Sequence, residues 1–296
     1  MKILITGAGG FLGRVLTQQL ITCGHEVNEF SGDIVEEKNV ANNFLFNPDY
    51  VVHLAGLSNL SECEKDQASC HQINVQGTIN LVHAVNSLSR PCGLLFASTA
   101  HVYDLSLDRR LILSENSRVS PTSFYGHSKL EAEKFIIQNI KANHRYAVLR
   151  FFNHTHKTQS PSFFLPSVYN QILSAAADES GIKTVQVGNV DIDRDIGALK
   201  DMVAACSAVI QSRKSYRDIY NVGSGQAKNL KDIIHVLSDK VGAKVKLIVD
   251  PARVRANEPL SISADITKFS HYFDWKPSAG VDVESFINSF LSDDYL

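Results

Sequence analysis

The stretch TGAGGFLG, Thr6 to Gly13, follows the apolar run KILIT at residues 2–6 and opens a helical pattern. Its glycines Gly7, Gly10 and Gly13 are spaced three apart. Glycine permits a tight turn and the close approach of a phosphate, and the free N–H groups at the start of a helix favour a pyrophosphate. Such a turn can also be a plain strand-to-helix connection. In the first βα unit of an alternating chain it predicts dinucleotide binding.

The rest of the first half repeats this order of strand and helix. Helical patterns such as SKLEAEKFIIQNI separate most of the short apolar runs. Strands that alternate with helices predict βαβ units and a parallel sheet. We therefore expect an α/β protein with a Rossmann-type doubly wound parallel sheet. The apolar runs that we interpret as its strands lie at residues 2–6, 25–30, 50–55, 93–98 and 146–152.

The pattern changes after residue 153, where a loop, a helical stretch and the segment KTVQVGNVDIDRD follow. We interpret that segment as a strand and a polar loop. The chain then predicts a dinucleotide-binding domain of residues 1–153, rejoined by about 194–224. Residues 154–193 and about 225–296 would form a smaller, discontinuous α/β lobe that binds the substrate.

Composition excludes several classes of partner. The 296 residues are 44% hydrophobic and 20% charged with a formal net charge of −2, which favours neither nucleic acid nor an anionic membrane. No apolar stretch reaches the roughly 18 residues of a membrane span, and MKILIT does not resemble a signal peptide, so we expect a cytoplasmic protein. The five cysteines have no metal-ligand spacing, which predicts reduced thiols and no metal.

The end of the second strand bears on the choice of cofactor. NAD-preferring sites usually offer a carboxylate there, but we expect the strand to end at residues 30–32, with Glu29 before and Asp33 after. Arg14 lies in the first turn of the first helix, as a solvated surface residue or as a partner for a 2′-phosphate. A missing acid and an added base predict NADP(H), with NAD(H) as the alternative.

A second motif, FYGHSK, places Tyr125 and Lys129 four residues apart at the start of a helix, so that both side chains point the same way. This spacing is common by chance. Here it comes after a first half of βαβ units that begins with the glycine turn. It also comes after a buried run, GLLFA, which Ser98 and Thr99 follow directly. The combination resembles the extended short-chain dehydrogenase/reductase family.

The resemblance implies that Tyr125 exchanges a proton with the substrate oxygen, that Lys129 lowers its pKa and holds the nicotinamide ribose, and that Thr99 orients the oxygen beside Ser98. A phenol with an ordinary pKa of about 10 is a poor acid or base at neutral pH, and a nearby ammonium favours its ionised form. Hydride chemistry belongs to the cofactor.

Further matches to the family extend along the chain. Asp33 and Ile34 resemble its adenine-side pair, the HLAG segment at residues 53–56 its cofactor-lining strand end, and Asn74 its helix asparagine. By this resemblance the predicted cofactor contacts are Gly7, Gly10, Phe11, Leu12, Gly13, Arg14, Asp33, Ile34, Leu54, Ala55, Gly56, Asn74, Ser98, Tyr125 and Lys129.

Toward the C-terminus the likeness narrows to nucleotide-sugar enzymes, and the chain is most similar to GDP-4-keto-6-deoxymannose reductases and their dehydratase relatives. It implies that Asn153 contacts the sugar nucleotide, that Arg194 and Arg255 hold its diphosphate and that Glu258 faces the nucleoside, with Ser58 and Thr99 also in the substrate site. One departure is the HKT segment at residues 156–158, where relatives tend to have a Gly-Pro turn.

The reaction type depends on His101. Dehydratases of this family carry an acid, generally Glu, two residues after the catalytic Thr, and His101 occupies that place. We therefore predict an enzyme that reduces the 4-keto group of a GDP-6-deoxy-4-keto sugar. The alternatives are a nucleotide-sugar 4-epimerase or a dTDP-4-keto-rhamnose reductase, and then a dehydratase or a non-catalytic nucleotide-binding protein. The family also implies a homodimer.

Overall fold

The computed structural model describes residues 1–106, 109–177, 183–254, 258–278 and 282–293. The strands are β1 (Lys2–Thr6), β2 (Glu26–Glu29), β3 (Tyr50–His53), β4 (Gly93–Thr99), β5 (Arg110–Leu113), β6 (Arg145–Phe151), β7 (Asn153–Thr155), β8 (Lys183–Val187), β9 (Asp193–Ala198), β10 (Arg217–Val222), β11 (Ala227–Asn229), β12 (Val245–Val249) and β13 (Ser261–Ala264). The α-helices are α1 (Phe11–Thr22), α2 (Glu37–Phe44), α3 (Leu60–Lys65), α4 (Gln67–His71), α5 (Gly77–Ser87), α6 (Phe124–Asn139), α7 (Phe164–Ala176), α8 (Leu199–Gln211), α9 (Leu230–Val241), α10 (Thr267–Phe273) and α11 (Val283–Leu291).

The main sheet has six parallel strands in the order β10-β6-β4-β3-β1-β2. Each parallel pair needs a crossover, and the helices cover both faces. Residues of α1 and α8 join the apolar core on one face, and residues of α2, α5 and α6 join the core on the other. The predicted doubly wound Rossmann-type sheet is confirmed.

Within the main sheet and its helices, the predicted elements agree with the observed ones to within a few residues at their ends. Strand β2 ends at Glu29 rather than at residues 30–32, so an exposed carboxylate does occupy its last position. Helix α6 begins at Phe124, where the FYGHSK motif predicts its start, because the hydroxyl of Ser123 accepts a hydrogen bond from the N–H of Gly126.

A second sheet of five strands has little signal in the sequence. It has the order β11-β9-β13-β5, with β7 paired to β9. The segment interpreted as a strand and a polar loop does begin with β8, but the end of its loop part, from Asp193 onward, belongs to β9, so the expectation is wrong there. Burial of its charge is tolerated because the carboxylate of Asp195, 1% exposed, accepts hydrogen bonds from the backbone N–H groups of Ser224, Gly225 and Ala264.

The remaining elements form a smaller layer. Strands β8 and β12 pair in parallel, and α7, α9 and α11 pack around one apolar core with them. Helix α10, by contrast, lies against β10, and the rings of Phe269 and Phe273 join the core of the main sheet. The division of the chain into two domains stays a prediction. No helix within the described ranges has the length and apolar character needed to cross a membrane.

The cysteines depart from expectation at one place. Cys63 of α3 and Cys70 of α4 form a disulfide with their Cα atoms 5.2 Å apart, so the prediction of reduced thiols is wrong for this pair. They are seven positions apart in the sequence, and the break between the two short helices at Asp66 turns the chain back to bring them together. Cys23, Cys92 and Cys206 are free thiols.

Candidate active site

The predicted site residues gather at one edge of the main sheet. The glycine turn follows β1, Leu54 follows β3, Thr99 ends β4 and Asn153 comes shortly after β6. These strands are parallel neighbours, so their carboxyl ends share an edge, which is where open α/β sheets bind ligands. Segments far apart in sequence are thereby brought to one cleft.

The glycine turn has the geometry of a phosphate cradle. Gly7 has a φ of +72°, and a Cβ added there would lie 2.7 Å from the backbone nitrogen of Ala55. A Cβ at Gly13 would lie 2.1 Å from the carbonyl oxygen of Gly7. No side chain caps the start of α1 at Gly10, which leaves its first N–H groups for an anion. Phe11 and Leu12 follow, both half-buried.

The residues predicted to face the adenine side occupy the neighbouring surface. Arg14 is exposed in the first turn of α1, and Asp33 is exposed with its carboxylate accepting a hydrogen bond from the N–H of Val35 at 2.9 Å. Ile34 is buried against Gly77, where a Cβ would lie 2.6 Å from its side chain. The glycine at 77 thus lets α5 approach the loop that follows β2.

Two buried polar residues, His53 and Asn74, hold the segment at residues 54–57, which includes the residues predicted to line the cofactor. His53, 1% exposed, bonds through Nδ1 to Thr6 Oγ1 at 2.8 Å and through Nε2 to Thr78 Oγ1 at 3.0 Å. Burial, with Lys129 nearby, lowers the pKa of His53 to about 3, so the ring is neutral. Asn74, also 1% exposed, accepts from the N–H of Leu57 and donates to its carbonyl oxygen. The side chains of His53 and Asn74 therefore point into the protein and fix the position of the segment that contains Ala55 and Gly56.

The three predicted catalytic residues lie together and are nearly buried. Thr99, Tyr125 and Lys129 are 6%, 7% and 5% exposed. The Nζ of Lys129 lies 4.4 Å from the ring centroid of Phe96, which places the ammonium on the face of the ring. The ring of His101 meets that of Tyr125 edge-on, with centroids 6.1 Å apart.

Burial determines the ionisation of the pair. It raises the pKa of Tyr125 to about 12, although a hydrogen bond with the side chain of Thr99 works in the opposite direction. It lowers the pKa of Lys129 to about 8, and the carboxylate of Glu133 opposes this shift. In the protein alone, desolvation of the phenolate outweighs the neighbouring groups, so the expected lowering of the pKa of Tyr125 by Lys129 and the nicotinamide charge stays a prediction for the protein with its cofactor. Tyr125 is a phenol at neutral pH.

A buried polar network lies directly behind these residues. Ser98, next to Thr99, donates a hydrogen bond to a carboxylate oxygen of Glu133. Arg150 of β6 donates to both oxygens of that carboxylate, with its Nε 3.0 Å from one oxygen and a terminal nitrogen 2.7 Å from the other. The guanidinium lies over the ring of Tyr103, 4.8 Å from the centroid. The network joins β4, α6 and β6 in one place.

The predicted substrate residues are only partly brought together. Ser58 and Asn153 are exposed near the cleft, after β3 and at the start of β7. Arg194 is 7% exposed: it forms an ion pair with Glu258 at 2.8 Å and donates to the carbonyl oxygens of Asp193 and Pro259. Protein oxygens thus bind its guanidinium in this state, and its role toward a diphosphate stays a prediction. Arg255 lies outside the described residues.

A family model described as the NAD dependent epimerase/dehydratase family matches residues 3–223. The chain belongs to this family. The match runs from β1 to just past β10, which includes the glycine turn and the Tyr125 and Lys129 pair.

Similar members of the epimerase/dehydratase family span nearly the whole chain. A GDP-6-deoxy-D-mannose reductase of Pseudomonas aeruginosa is 29% identical over 99% of this chain and 96% of its own length. A UDP-glucose 4-epimerase of Lactobacillus helveticus is 25% identical over 94% of this chain and 92% of its own. Among solved structures, RMD from Pseudomonas aeruginosa complexed with NADPH has a TM-score of 0.86 at 26% identity, over 99% of this chain and 98% of that one.

In this member of the epimerase/dehydratase family, some residues of the site were missed by the sequence analysis. Glu133 follows Lys129 by four residues, just as Lys129 follows Tyr125. This spacing places all three side chains on one face of the helix and is the sequence signal that could have identified Glu133. Arg150 lies within an apolar run and gave no signal of its own. His154, after Asn153, stacks against Phe11 of the glycine turn with ring centroids 6.1 Å apart, a contact that only the fold creates.

Proposed function

We propose that this protein is an enzyme that uses NADPH to reduce the 4-keto group of a GDP-6-deoxy-4-keto sugar to a GDP-deoxy sugar. The observation that carries the proposal is the buried group of Thr99, Tyr125 and Lys129 at the sheet edge, beside the glycine turn. Tyr125 is held there as a phenol, which is the form that donates a proton. The whole-chain likeness to a GDP-6-deoxy-D-mannose reductase supports the substrate class.

The glycine turn and its surroundings fit NADP(H). The pyrophosphate would lie at the uncapped start of α1, where Gly7 and Gly13 leave no room for side chains. Arg14 is exposed in the first turn and available to a 2′-phosphate, while Asp33 and Ile34 face the adenine side. The similar structure complexed with NADPH supports this choice over NAD(H).

The chain's own residues then supply everything except the hydride, which NADPH supplies when bound. Tyr125 donates its hydroxyl proton to the substrate oxygen as the carbonyl becomes an alcohol. Thr99, at the end of β4, orients that oxygen, and the ammonium of Lys129 holds the nicotinamide ribose and stabilises the developing phenolate. Because the three side chains are nearly buried, water competes little for these contacts.

The remaining predicted contacts complete the proposed site. Leu54, Ala55 and Gly56 would line the nicotinamide side, and the predicted contacts Asn74 and Ser98 would support it from behind through their buried hydrogen bonds. Ser58 and Asn153, both exposed at the cleft, would contact the sugar nucleotide. Arg194, Arg255 and Glu258 would face its diphosphate and nucleoside, which requires Arg194 to exchange part of its present pairing with Glu258.

A dehydratase is disfavoured by the residue beside Tyr125. Elimination of water needs a second acid or base, and His101 occupies the position where dehydratases carry their acid. Its ring meets the ring of Tyr125 edge-on, with the centroids 6.1 Å apart. Reduction needs no such group.

A 4-epimerase is the second candidate, because a UDP-glucose 4-epimerase is similar over 94% of the chain. The test is incubation of the protein with NADPH and GDP-4-keto-6-deoxymannose, with dTDP-4-keto-rhamnose as a parallel substrate. The proposal expects stoichiometric loss of NADPH absorbance with the GDP sugar. Interconversion of UDP sugars without net cofactor use would instead identify an epimerase, and no turnover of any 4-keto sugar would refute the proposal.

The proposal includes a cytoplasmic homodimer formed through the helices of the main sheet. On α6, Ile137 is 39% exposed, and Phe135 meets the ring of His83 on α5 with centroids 5.8 Å apart. An apolar and aromatic surface on two adjacent helices suits a second copy. Light scattering should give twice the chain mass, and Ile137→Glu should give a monomer; a monomeric wild-type protein would refute this part.

A further inference from the structure

We propose that Glu133 is a positioning residue for the proton transfer, which holds Lys129 as an ammonium and fixes the end of β4 that carries Thr99. The inference rests on the proposed function and goes beyond it, because Glu133 does not touch the reacting atoms. It acts through its neighbours on three elements.

The position of Glu133 connects it to every catalytic element. It lies one helical turn beyond Lys129 on α6, so the two side chains share a face of the helix. One carboxylate oxygen accepts the hydroxyl of Ser98, the residue before Thr99. Both oxygens accept from Arg150 on β6. Glu133 is 1% exposed, so these contacts are shielded from water.

The charges around Lys129 make this carboxylate important. Lys129 is almost fully buried, and burial by itself disfavours its ammonium. From neighbouring elements the ring of Phe96 on β4 and the neutral ring of His53 on β3 face it, and on its own helix the phenol of Tyr125 lies one turn before it. Among these groups and Glu133, only Glu133 offers a full negative charge.

Arg150 explains why the carboxylate stays in place. A buried carboxylate needs hydrogen bonds and a counter-charge, and the Arg150 guanidinium supplies both while resting on the ring of Tyr103. The Tyr103 hydroxyl in turn donates to Asn221 of β10 at 2.6 Å. The network therefore reaches the far edge of the sheet and orients the carboxylate rigidly.

Removal of the carboxylate should change where activity is lost as pH rises. Without Glu133, the ammonium of Lys129 is lost at lower pH, and most easily when Arg150 remains as a second buried cation. We expect the pH of half-maximal kcat on the alkaline side to fall by roughly 1 unit in Glu133→Gln/Arg150→Met. In Glu133→Gln alone it should fall further. The double variant removes both charges and keeps similar volumes, so it is the one expected to fold.

The measurements separate this role from a purely structural one. Besides kcat, fluorescence titration of the apo protein with NADPH at several pH values reports the charge of Lys129 without any substrate. In the variants, the affinity for NADPH should begin to weaken at a lower pH than in the wild type. Glu131→Gln, on an exposed carboxylate of the same helix that pairs with His71, is the matched control and should leave both profiles unchanged. Glu133→Asp, which keeps the charge, should restore the alkaline limb to within a few tenths of a unit.

Two outcomes would overturn the proposal. One is a folded double variant in which both pH profiles match the wild type. The other is a double variant that does not fold, since the pair would then serve the stability of the fold and not the position of Lys129. Failure of the proposed reductase function has a different signature: the wild type would bind NADPH with the expected pH dependence but consume none of it with 4-keto sugars.

Discussion

At the residue scale, the ionisation of Tyr125 illustrates what sequence motifs leave out. The spacing of Tyr125 and Lys129 predicts their partnership, but the resemblance implies a lowered phenol pKa, whereas burial raises it to about 12. A low-dielectric site disfavours a phenolate until a cation or cofactor charge compensates for it. For a reductase this is favourable, because the proton to be donated is present at neutral pH.

The role of Tyr125 can be tested with the smallest change. Tyr125→Phe removes the hydroxyl and keeps the ring, so we expect kcat to fall by roughly 100-fold or more because the proton donor is lost. NADPH affinity should stay within a factor of about two. Steady-state kinetics with the 4-keto sugar and NADPH titration measure the two effects. Tyr169→Phe, on a ring that packs against Phe290, is the control and should keep full activity.

Arg14 determines the preference between cofactors if it binds the 2′-phosphate. Loss of one charge-assisted contact corresponds to roughly 10-fold in affinity, so Arg14→Ala should raise the KM for NADPH by about that factor. The KM for NADH should not change. Arg213→Ala, also exposed but between α8 and β10, serves as the control. An equal effect of Arg14→Ala on both cofactors would show that Arg14 does not bind that phosphate.

At the element scale, the glycine turn depends on close contacts between backbone atoms within the turn. A methyl group at residue 13 would lie 2.1 Å from the carbonyl oxygen of Gly7, so Gly13→Ala must displace the turn. We expect a loss of ~1–3 kcal/mol in stability and a weakening of NADPH binding of roughly tenfold. Gly9→Ala is the matched control, because nothing lies within 4 Å of a Cβ there. Thermal melting and NADPH titration distinguish the two variants.

The disulfide between Cys63 and Cys70 makes an independent prediction for the α3–α4 segment. Cross-linking of so short a loop stabilises the fold by roughly 2–3 kcal/mol in the chain-entropy account. Reductant should therefore lower Tm and add two hydrogen atoms to the intact mass. Cys70→Ser should lower Tm to the same extent and abolish the response to reductant. Cys23→Ser, at an exposed free thiol, should behave as the wild type; a wild-type mass unaffected by reductant would show that the bond is absent.

Elements differ in how far the sequence alone predicts them. The inner strands of the main sheet, β1, β3, β4 and β6, are largely apolar runs, and the sequence predicts them to within a few residues because a strand buried on both faces must be apolar. Strand β9 carries Asp193, Arg194 and Asp195, and its polar composition hid it. Its charges are satisfied by residues distant in sequence, such as Ser224 and Glu258, which no local pattern reveals.

At the scale of the whole molecule, two sheets meet at the cleft, and the glycine turn belongs to the larger one. A cofactor that binds at the glycine turn should raise the free energy of unfolding of the protein. NADPH at about one hundred times its dissociation constant should raise Tm by roughly 5 °C. NADH at the same concentration should raise Tm less, since it lacks the 2′-phosphate. Differential scanning fluorimetry measures both, and a larger shift with NADH would contradict the proposed cofactor preference.

The sequence by itself determined the alternation of strands and helices, the glycine turn and the identities of Thr99, Tyr125 and Lys129, because these depend on local periodicity and on short motifs. Only the tertiary structure decided which groups surround them. Glu133, Arg150 and Ser98 come from three elements, and their meeting behind Lys129 results from the parallel order of β4 and β6 with α6 packed across them. Burial and charge are properties of that assembly, so the ionisation of Tyr125 and Lys129 follows from the fold.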